Sequence, residues 1–393
     1  MNKGLLLHIL FTILILSTSL YAQIPGPKKI TVSPILHVNY IAPTADKPQS
    51  KSWNFKGKNW ILLPGESGPE LWHTDERGWQ PSLEINTSWK GLPGKGDVFS
   101  IGNKLMILLV GDCRLIILSM RFSHVKNQYI EKFRTDLPIP ENCHEIETGT
   151  ISQDVKGDWW VCSDLNESIM VWNSRNGKYW TAPYEIASGI DTDDISVITR
   201  TPNYVSIIWS NQKEETIFER IHWNKDKSTH WSTPTIVEQG NKNADDHLNT
   251  AILPDHTLMV ISKNSVDKNG EPQFVLRIKS PEGKWTNQDV IDLTKTHSPT
   301  RPVIVNSTSG KIFEIHTVHQ RGTDMSFISV NEVVKDGIGW KLIEKCIIKS
   351  EKPAQLNNVT ASKEPFEKDQ PWNIYFSDDE GYVYTFDIKD IIH

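Results

Sequence analysis

Gly78-Trp79-Gln80-Pro81 is the first of several tryptophan-anchored segments that recur along this chain about every fifty residues. The others are Tyr179-Trp180-Thr181-Ala182-Pro183, His230-Trp231-Ser232-Thr233-Pro234, Lys284-Trp285-Thr286 and Gly339-Trp340-Lys341, with a weaker copy around Tyr129-Ile130-Glu131. Each copy is followed by a short apolar stretch and then by a polar cluster that opens a new strand. Self-similarity at this period, with only strand-like segments inside each unit, predicts an all-β fold of the β-propeller type.

The number of first strands predicts seven blades of four antiparallel strands. These strands start near residues 51, 97, 147, 194, 246, 300 and 357. In the fourth unit, residues 204–209 and 216–223 predict the second and third strands, and the Trp231 segment predicts the fourth. The last unit has only three evident strands, so we expect residues 29–38 to supply the missing one and close the ring, which removes a free sheet edge. Six blades with an N-terminal extension is the alternative.

The first 22 residues have the pattern of an export signal. Asn2-Lys3 forms a short positive start, residues 5–16 are almost unbroken apolar sequence, and small residues lead to a cleavage point after Ala22. The apolar run is shorter than the roughly 20 residues of a membrane-spanning helix, and no other segment resembles one. We therefore expect a periplasmic or secreted protein with no membrane partner, in which residues 23–393 form a single propeller domain.

Composition limits the partners and cofactors. The net charge is −6 with both signs dispersed, which argues against nucleic acid as a partner. The four cysteines are too few for a disulfide scaffold and lack zinc-site spacing, so one or two bridges and unpaired buried thiols are both open. Asp97, Glu147 and Asp194 offer oxygen ligands for calcium, but they lie in separate units without a calcium-loop spacing. We expect a monomer that needs neither a cofactor nor a metal.

Polar residues concentrate where a propeller has one mouth of its central channel. The first strands start there, and the loops between second and third strands edge the same mouth. The starts supply Asp97, Glu147, Asp194, Asp246, His247, Asn249, Arg301 and Asn357, and the loops supply Asp164, Asn211, Gln212, Lys263, His319 and Arg321. A lone Asp in such a position often only caps a turn. Even so, an acidic arc opposite a basic one suits an acidic poly- or oligosaccharide, because arginine binds carboxylate or sulfate in a fork.

Three segments carry a family resemblance: Trp209-Ser210-Asn211-Gln212, Asp245-Asp246-His247-Leu248-Asn249 and Thr300-Arg301-Pro302-Val303-Ile304. They resemble secreted bacterial propellers with sialidase-like, BNR-type repeats, and the signal ending in Tyr21-Ala22-Gln23 resembles those of Bacteroidetes. Relatives of that kind include ulvan lyases, α-L-rhamnosidases and a dehydratase acting on ulvan fragments, so the resemblance implies polysaccharide degradation. Sialidase activity is not implied, because its three-arginine cluster and its S-x-D-x-G-x-T-W boxes are missing.

The favoured hypothesis is β-elimination on a uronic-acid sugar, by a polysaccharide lyase or an oligosaccharide dehydratase. This chemistry needs a base for the C5 proton, a cation for the carboxylate and an acid for the leaving group. We predict His247 as the base, Asp246 as the group that orients it and His319 as the acid. The predicted substrate-binding residues are Arg301, Lys263, Arg321, Asp194, Asn249, Asn211 and Glu147. The alternatives are a glycoside hydrolase such as a rhamnosidase, with Asp194 and Asp246 as its carboxylate pair, and a non-catalytic glycan-binding propeller.

Overall fold

The computed structural model describes residues 26–392, and the predicted export signal, residues 1–22, lies outside this range. The described residues form a seven-bladed propeller, with one antiparallel sheet per blade. Two short strands precede the first blade, β1 (Lys28–Val32) and β2 (Leu36–His37). Within residues 26–392, no helix has the length and apolar character needed to span a membrane.

The first three blades follow each other in chain order. Blade one consists of β3 (Ser52–Phe55), β4 (Lys58–Gly65), β5 (Gly68–Asp75) and β6 (Gly78–Pro81), and a short helix, α1 (Leu83–Ser88), follows it. Blade two consists of β7 (Lys95–Ile101), β8 (Lys104–Gly111), β9 (Arg114–Ser123) and β10 (Gln128–Asp136). Blade three consists of β11 (Gly149–Gln153), β12 (Trp159–Leu165), β13 (Ser168–Ser174) and β14 (Tyr184–Ser188).

The next three blades repeat this arrangement. Blade four consists of β15 (Ser196–Arg200), β16 (Tyr204–Asn211), β17 (Thr216–Trp223) and β18 (Thr235–Gln239). Blade five consists of β19 (Leu248–Ile252), β20 (Leu258–Lys263), β21 (Pro272–Lys279) and β22 (Trp285–Asp292). Blade six consists of β23 (His297–Asn306), β24 (Ile312–Gln320), β25 (Ser326–Asp336) and β26 (Gly339–Ser350).

The seventh blade closes the ring with an N-terminal strand, but with a shorter one than expected. It consists of β27 (Asn357–Thr360), β28 (Asn373–Ser377), β29 (Tyr382–Asp387) and β2, which pairs antiparallel with β29. The predicted closing segment, residues 29–38, is therefore divided between two sheets. Its first half, in β1, pairs parallel with β26 and adds a fifth strand to blade six. The outer strands of blades six and seven, β26 and β29, are thus paired with N-terminal strands, which removes two free sheet edges.

The tryptophan repeat marks the outer part of each blade, but not always a strand. Trp79, Trp285 and Trp340 lie in β6, β22 and β26. Trp180 and Trp231 instead precede β14 and β18, so the prediction that the Trp231 segment is itself a fourth strand is wrong. Trp231 is buried and its indole nitrogen donates a hydrogen bond to the Tyr184 hydroxyl at 2.7 Å. Because that bond joins blades three and four, this tryptophan anchors a blade boundary.

The core lies between the blades. Among the described residues, seven hydrophobic clusters each join the facing sides of two neighbouring blades. The cluster between blades seven and one contains Val38, Ile61, Leu63, Tyr375 and Val383, so it too includes the N-terminal chain. The middle strands β4, β8, β12, β16 and β20 are almost entirely buried and mostly apolar because both of their faces are covered by other blades.

One disulfide is present among the described cysteines. Cys113, in the turn between β8 and β9, is bonded to Cys143 in the segment that leads to β11, and the two Cα atoms are 5.8 Å apart. Cys162 and Cys346 are buried and unpaired. Both alternatives that the sequence left open, a bridge and buried thiols, are therefore found in the same chain.

Candidate functional site

A cavity of about 600 Å³ occupies the central channel. Its walls are the first strands of blades four to seven, β15, β19, β23 and β27, together with a few side chains of blades two and three. A volume in this range is typical of small-molecule sites, which measure roughly 300–1,000 Å³. The cavity contacts both ends of the first strands, so it runs along the channel instead of lying at one mouth. We call the mouth at the strand starts the near mouth and the one at the strand ends the far mouth.

The near mouth is crossed by the chain's own N-terminal segment, residues 44–51, which we call the channel segment. The Thr44 hydroxyl hydrogen-bonds the Ser377 hydroxyl of blade seven at 2.7 Å, and Gln49 Nε2 donates to the carbonyl of Gly149 in blade three at 2.8 Å. The Ser50 amide donates to Asp97 of blade two at 2.8 Å. This segment could not be predicted, because residues 44–50 contain neither a strand pattern nor a site motif.

The channel segment and the strand starts together form the inner end of the cavity, which we call the floor. The floor residues are Lys47, Gln49, His247, Asn249 and Arg301. Two of them carry a buried acceptor that has no hydrogen-bond partner among the described residues, Gln49 Oε1 and His247 Nε2. The Gln49 amide orientation is fixed by its donation to Gly149. Buried polar atoms are nearly always hydrogen-bonded, so two unpartnered acceptors within one small group of floor residues are unusual.

His247 is held between two carboxylates. Its Nδ1 lies 2.7 Å from Asp245 Oδ1 and also contacts Asp246. Burial lowers the pKa of His247 to about 3, outweighing the hydrogen bond that its Nδ1–H donates to the Asp245 carboxylate. The ring is therefore neutral, with its proton on Nδ1 and a bare Nε2. The sequence predicted Asp246 as the orienting carboxylate; the structure adds Asp245, which also accepts a 2.6 Å hydrogen bond from Lys263.

The Asp245 carboxylate is held by hydrogen bonds from three neighbouring side chains. Burial opposes its ionisation, but hydrogen bonds from His247 and Lys263 outweigh that effect and lower the pKa of the carboxyl group. Ser265 Oγ donates a third hydrogen bond at 3.0 Å. Lys263, predicted to bind the substrate carboxylate, is thus placed as the partner of Asp245, and it does not line the cavity.

Arg301 lines the cavity with no hydrogen bond or ion pair to its guanidinium from any residue in the described range. Its φ is 55°, a conformation that is uncommon for residues other than glycine and that concentrates at functional sites. The ladder between β23 and β24 is irregular between Thr300 and Val303, which places this bulge at Arg301. Burial lowers the pKa of Arg301, against the charges of Asp379 and Asp245. An unpaired, half-buried guanidinium is prepared for an anion.

His319, the predicted acid, lies beside Arg301 but outside the cavity wall. Burial lowers the pKa of His319, and the charge of Arg301 lowers it further, while Asp379 acts in the opposite direction. His319 is in β24, not in the loop where the sequence predicted it, and Arg321 follows that strand, is exposed, and reaches Asn269 at 3.5 Å with its guanidinium. Neither His319 nor Arg321 lines the cavity.

Lys47 lies among carboxylates at the near mouth. Its ammonium contacts Asp246 and is 3.9 Å from Glu147. Oxygens of Glu147, Asp193 and Asp246 all lie within 4.8 Å of one another, an arrangement that could also hold a cation. Burial raises the pKa of Glu147 to about 7, with the charges of Asp164 and Asp193 adding to the effect and Lys47 opposing it. Glu147 Oε2 is buried without a hydrogen-bond partner among the described residues.

Two other predicted binding residues stabilise turns. Asp194 is fully buried and accepts hydrogen bonds from the backbone amides of Asp191 at 2.7 Å and Gln212 at 3.1 Å. Asn211 is also buried, and its side chain accepts from the Glu214 amide at 3.1 Å. Neither side chain lines the cavity. Asn249 does, and its Oδ1 accepts from the Ile304 amide at 3.1 Å, which ties blade five to blade six.

The far mouth carries a group of residues that the sequence did not single out. Arg200, at the end of β15, is 3.4 Å from Glu364, which follows β27. The Arg200 guanidinium also lies 5.1 Å from the centre of the Phe99 ring. Lys363 reaches Asp97 and the carbonyl of Ile151. The sequence signal for this group is the pair Lys363-Glu364, which closely follows a predicted first strand.

No protein-family model and no curated protein sequence matches the chain. Solved structures resemble it at low identity. Polysaccharide lyase Uly1 is 10% identical, with 93% of each chain covered and a TM-score of 0.51. The GH93 α-L-arabinofuranosidase of Fusarium graminearum is 12% identical, covering 92% of this chain and 99% of that one, with a TM-score of 0.48. The GH43 endo-arabinanase of Bacillus licheniformis is 10% identical, covering 80% and 99%, with a TM-score of 0.39.

The seven sheets define the class of this chain: an all-β, seven-bladed propeller. The neighbours named above are carbohydrate-active propellers, a lyase and two hydrolases. At 10–12% identity the resemblance shows the fold alone. The reaction has to be argued from the floor residues.

Proposed function

We propose that this protein is an exported carbohydrate-active enzyme that binds an acidic sugar at the channel floor and eliminates across the C4–C5 bond beside its carboxylate. One observation carries the proposal: Arg301 and His247 line the same cavity, and the Arg301 guanidinium and the buried His247 Nε2 both lack partners among the described residues. A cation for the carboxylate and a neutral proton acceptor are the two groups that this chemistry needs.

In this scheme, the Arg301 guanidinium binds the substrate carboxylate and so acidifies the C5 proton. His247 Nε2 accepts that proton, while Asp245 and Asp246 hold the ring in the required tautomer through Nδ1. The electron pair from C5 forms the C4–C5 double bond and the C4 oxygen leaves, taking a proton from an acid. His319, next to Arg301, is the candidate acid. A departing sugar makes the reaction a lyase reaction, and a departing hydroxide makes it a dehydration.

The low pKa of His247 bears on this role. A base with a pKa of about 3 is always in its accepting form at neutral pH, but its driving force for proton transfer is small. Carboxylate binding to Arg301 adds a negative charge near the ring, which favours the protonated imidazole during the reaction. We therefore expect activity without an acidic limb from His247 at pH 5 to 8.

A glycoside hydrolase is the second candidate, on a different pair from the one the sequence indicated. Asp194 is committed to a turn, whereas Glu147 and Asp246 have oxygens within 4.8 Å of each other and different environments. Burial raises the pKa of Glu147 to about 7, and Lys47 contacts Asp246. A protonated carboxyl beside an ionised one is the arrangement that glycoside hydrolysis uses.

The test is product analysis on uronate oligosaccharides, sulfated and unsulfated, followed by ultraviolet absorbance and mass. Rising absorbance with cleavage indicates a lyase, rising absorbance with loss of one water indicates a dehydratase, and new reducing ends without absorbance indicate a hydrolase. Arg301→Lys should lower kcat/KM by about 100-fold or more, because a fork of donors becomes a single ammonium. Arg121→Lys, at an exposed position of β9 in blade two, is the matched control. Binding without any turnover would refute the enzyme proposal and leave a glycan-binding propeller.

A further inference from the structure

The exposure of the cavity wall differs between its two ends. Among the residues that line the cavity, the exposed ones are Val155, Pro202, Pro254, His256 and Thr308. All five lie just beyond the ends of first strands, at the far mouth. The residues that line the near end, such as Lys47, His247 and Arg301, are buried or half-buried. Solvent therefore meets the cavity mainly at the far mouth.

The near mouth, by contrast, is held by many bonds. The channel segment is joined to blades two, three and seven through Ser50, Gln49 and Thr44, and Lys47 contacts Asp246 of blade five. Lys51 adds a hydrogen bond from its ammonium to the Gly96 carbonyl at 3.2 Å. Opening this mouth would break all of these contacts together, including buried polar ones that are expensive to leave unpaired.

Two ion pairs cross the channel near the far mouth, Lys363–Asp97 and the weaker Arg200–Glu364. Arg200 belongs to blade four and Glu364 to blade seven, which face each other across the ring, and the closest nitrogen–oxygen distance is 3.4 Å. Their side chains are 30% and 39% exposed. Such a part-exposed pair contributes little stability and is easily exchanged for a ligand. The Phe99 ring keeps the guanidinium plane in place while its partner changes.

We propose that the ligand enters the channel at the far mouth and that Arg200 and Glu364 form its first binding subsite there. The ligand class, an acidic oligosaccharide, rests on the proposed function. The Arg200 fork takes a carboxylate or sulfate, and Glu364, released from its partner, accepts hydrogen bonds from hydroxyl groups. Pro202 and Pro254 give the rim apolar surface for a sugar face.

The direction of entry fixes which part of the sugar reaches the floor. A chain that threads inward from Arg200 meets the channel segment at the other end, so its terminal residue stops beside His247 and Arg301. The reaction at the floor is then confined to the terminal sugar of the chain. A uronate at the reducing end loses the rest of the chain with its C4 oxygen, and a uronate at the non-reducing end loses water. The anion subsite at Arg200 binds a residue farther along the same chain.

The first experiment tests entry without any sugar. Thr250 lines the middle of the cavity, so Thr250→Cys provides an internal thiol. The modification measured in the wild-type protein is subtracted from that of the variant. The rate at which a small charged methanethiosulfonate modifies this thiol is measured in Thr250→Cys and in two double variants. One also carries Val155→Trp at the far mouth, and the other carries Ile41→Trp outside the near mouth. These two positions are matched, because both are exposed apolar side chains, at 58% and 74%. Thermal unfolding of each variant checks that the fold is kept.

We expect Val155→Trp to slow modification by about fivefold or more, because thiol reactivity depends on access, and Ile41→Trp to leave it within about twofold. The reverse order, or a Thr250→Cys thiol that does not react in either background, overturns entry at the far mouth.

The second experiment tests the subsite by calorimetric binding of a uronate oligosaccharide. Arg200→Gln should weaken binding by about 10- to 100-fold, since a charge-assisted hydrogen bond is lost. Arg175→Gln, exposed on the same face but outside the cavity, should not. Equal affinities for wild type and Arg200→Gln overturn the subsite. A wild-type protein that binds no uronate refutes the proposed function instead, and the thiol experiment still decides the entry route.

Discussion

Replacing Glu147 by glutamine should stabilise the protein at alkaline pH and leave it unchanged in acid. Glu147 lies with Asp193 and Asp246 in a group of three carboxylates, and its pKa is raised from 4.5 to about 7 by burial and by the neighbouring charges. Its side chain is 29% exposed, so the shift is not removed by solvent. Glutamine mimics the protonated acid in shape and cannot ionise.

The sign follows from proton binding. A raised pKa means that the folded state binds this proton more tightly than the unfolded state. Below pH 4.5 both states hold the proton, and the carboxyl does not affect the pH dependence. As the pH rises from 4.5 to about 7, the unfolded state releases the proton first, so wild-type stability falls. A shift from 4.5 to about 7, at 1.36 kcal/mol for each pKa unit, corresponds to at most about 3 kcal/mol.

The assay is urea unfolding of both proteins at several values between pH 3 and pH 8.5. The difference in the free energy of unfolding should be flat below pH 4.5, grow in favour of Glu147→Gln up to about pH 7, and then level off. Glu145→Gln, two residues away with an exposed side chain, serves as the control and should show no such change. A difference that is constant across the whole pH range would refute the reasoning, because Glu147 would then titrate alike in both states.

Three further predictions concern stability. Removing the disulfide with Cys113→Ala and Cys143→Ala should lower the free energy of unfolding by about 2 to 4 kcal/mol, because a 30-residue separation is no longer constrained in the unfolded state; unchanged urea midpoints would contradict this. Leu108→Ala should cost about 2 to 5 kcal/mol by leaving a cavity between blades two and three, whereas Ile338→Ala at an exposed turn should stay within about 0.5 kcal/mol. Val38→Ala should cost about 1 to 3 kcal/mol and show in thermal unfolding, since Val38 packs the closing N-terminal chain against blades seven and one; a cost equal to that of Ile338→Ala would argue against closure by packing.

Most of the fold could be predicted because a propeller is built from local pairings. Each blade is an antiparallel meander in which neighbouring strands follow each other in sequence, so apolar runs and turn residues identify it directly. The errors occurred where this locality ends. Trp231 precedes its strand and bonds to Tyr184 of the preceding blade. Residues 29–38 divide between blades six and seven, because they pair with strands more than 300 residues away.

The candidate site was predictable only in part for the same reason. His247 and Arg301 could be selected from their positions at strand starts, and the structure places both on the cavity wall, while their roles stay predictions. Asp194 and Asn211 satisfied the same positional rule, yet their side chains bond to nearby backbone amides. The position of a residue in the sequence indicates where it lies along the channel axis, but not the direction in which its side chain points.

The sequence by itself determined the repeat, the seven blades and the placement of His247 and Arg301 at one end of the first strands. Only the tertiary structure decided what surrounds them. Gln49 bonds to Gly149 across 100 residues, Arg200 meets Glu364 across 164, and Lys363 meets Asp97 across 266. These contacts arise when the ring closes and brings blades that are distant in the chain to one channel, so no local pattern can encode them. Ring closure also set the exposure that distinguishes the far mouth from the near one.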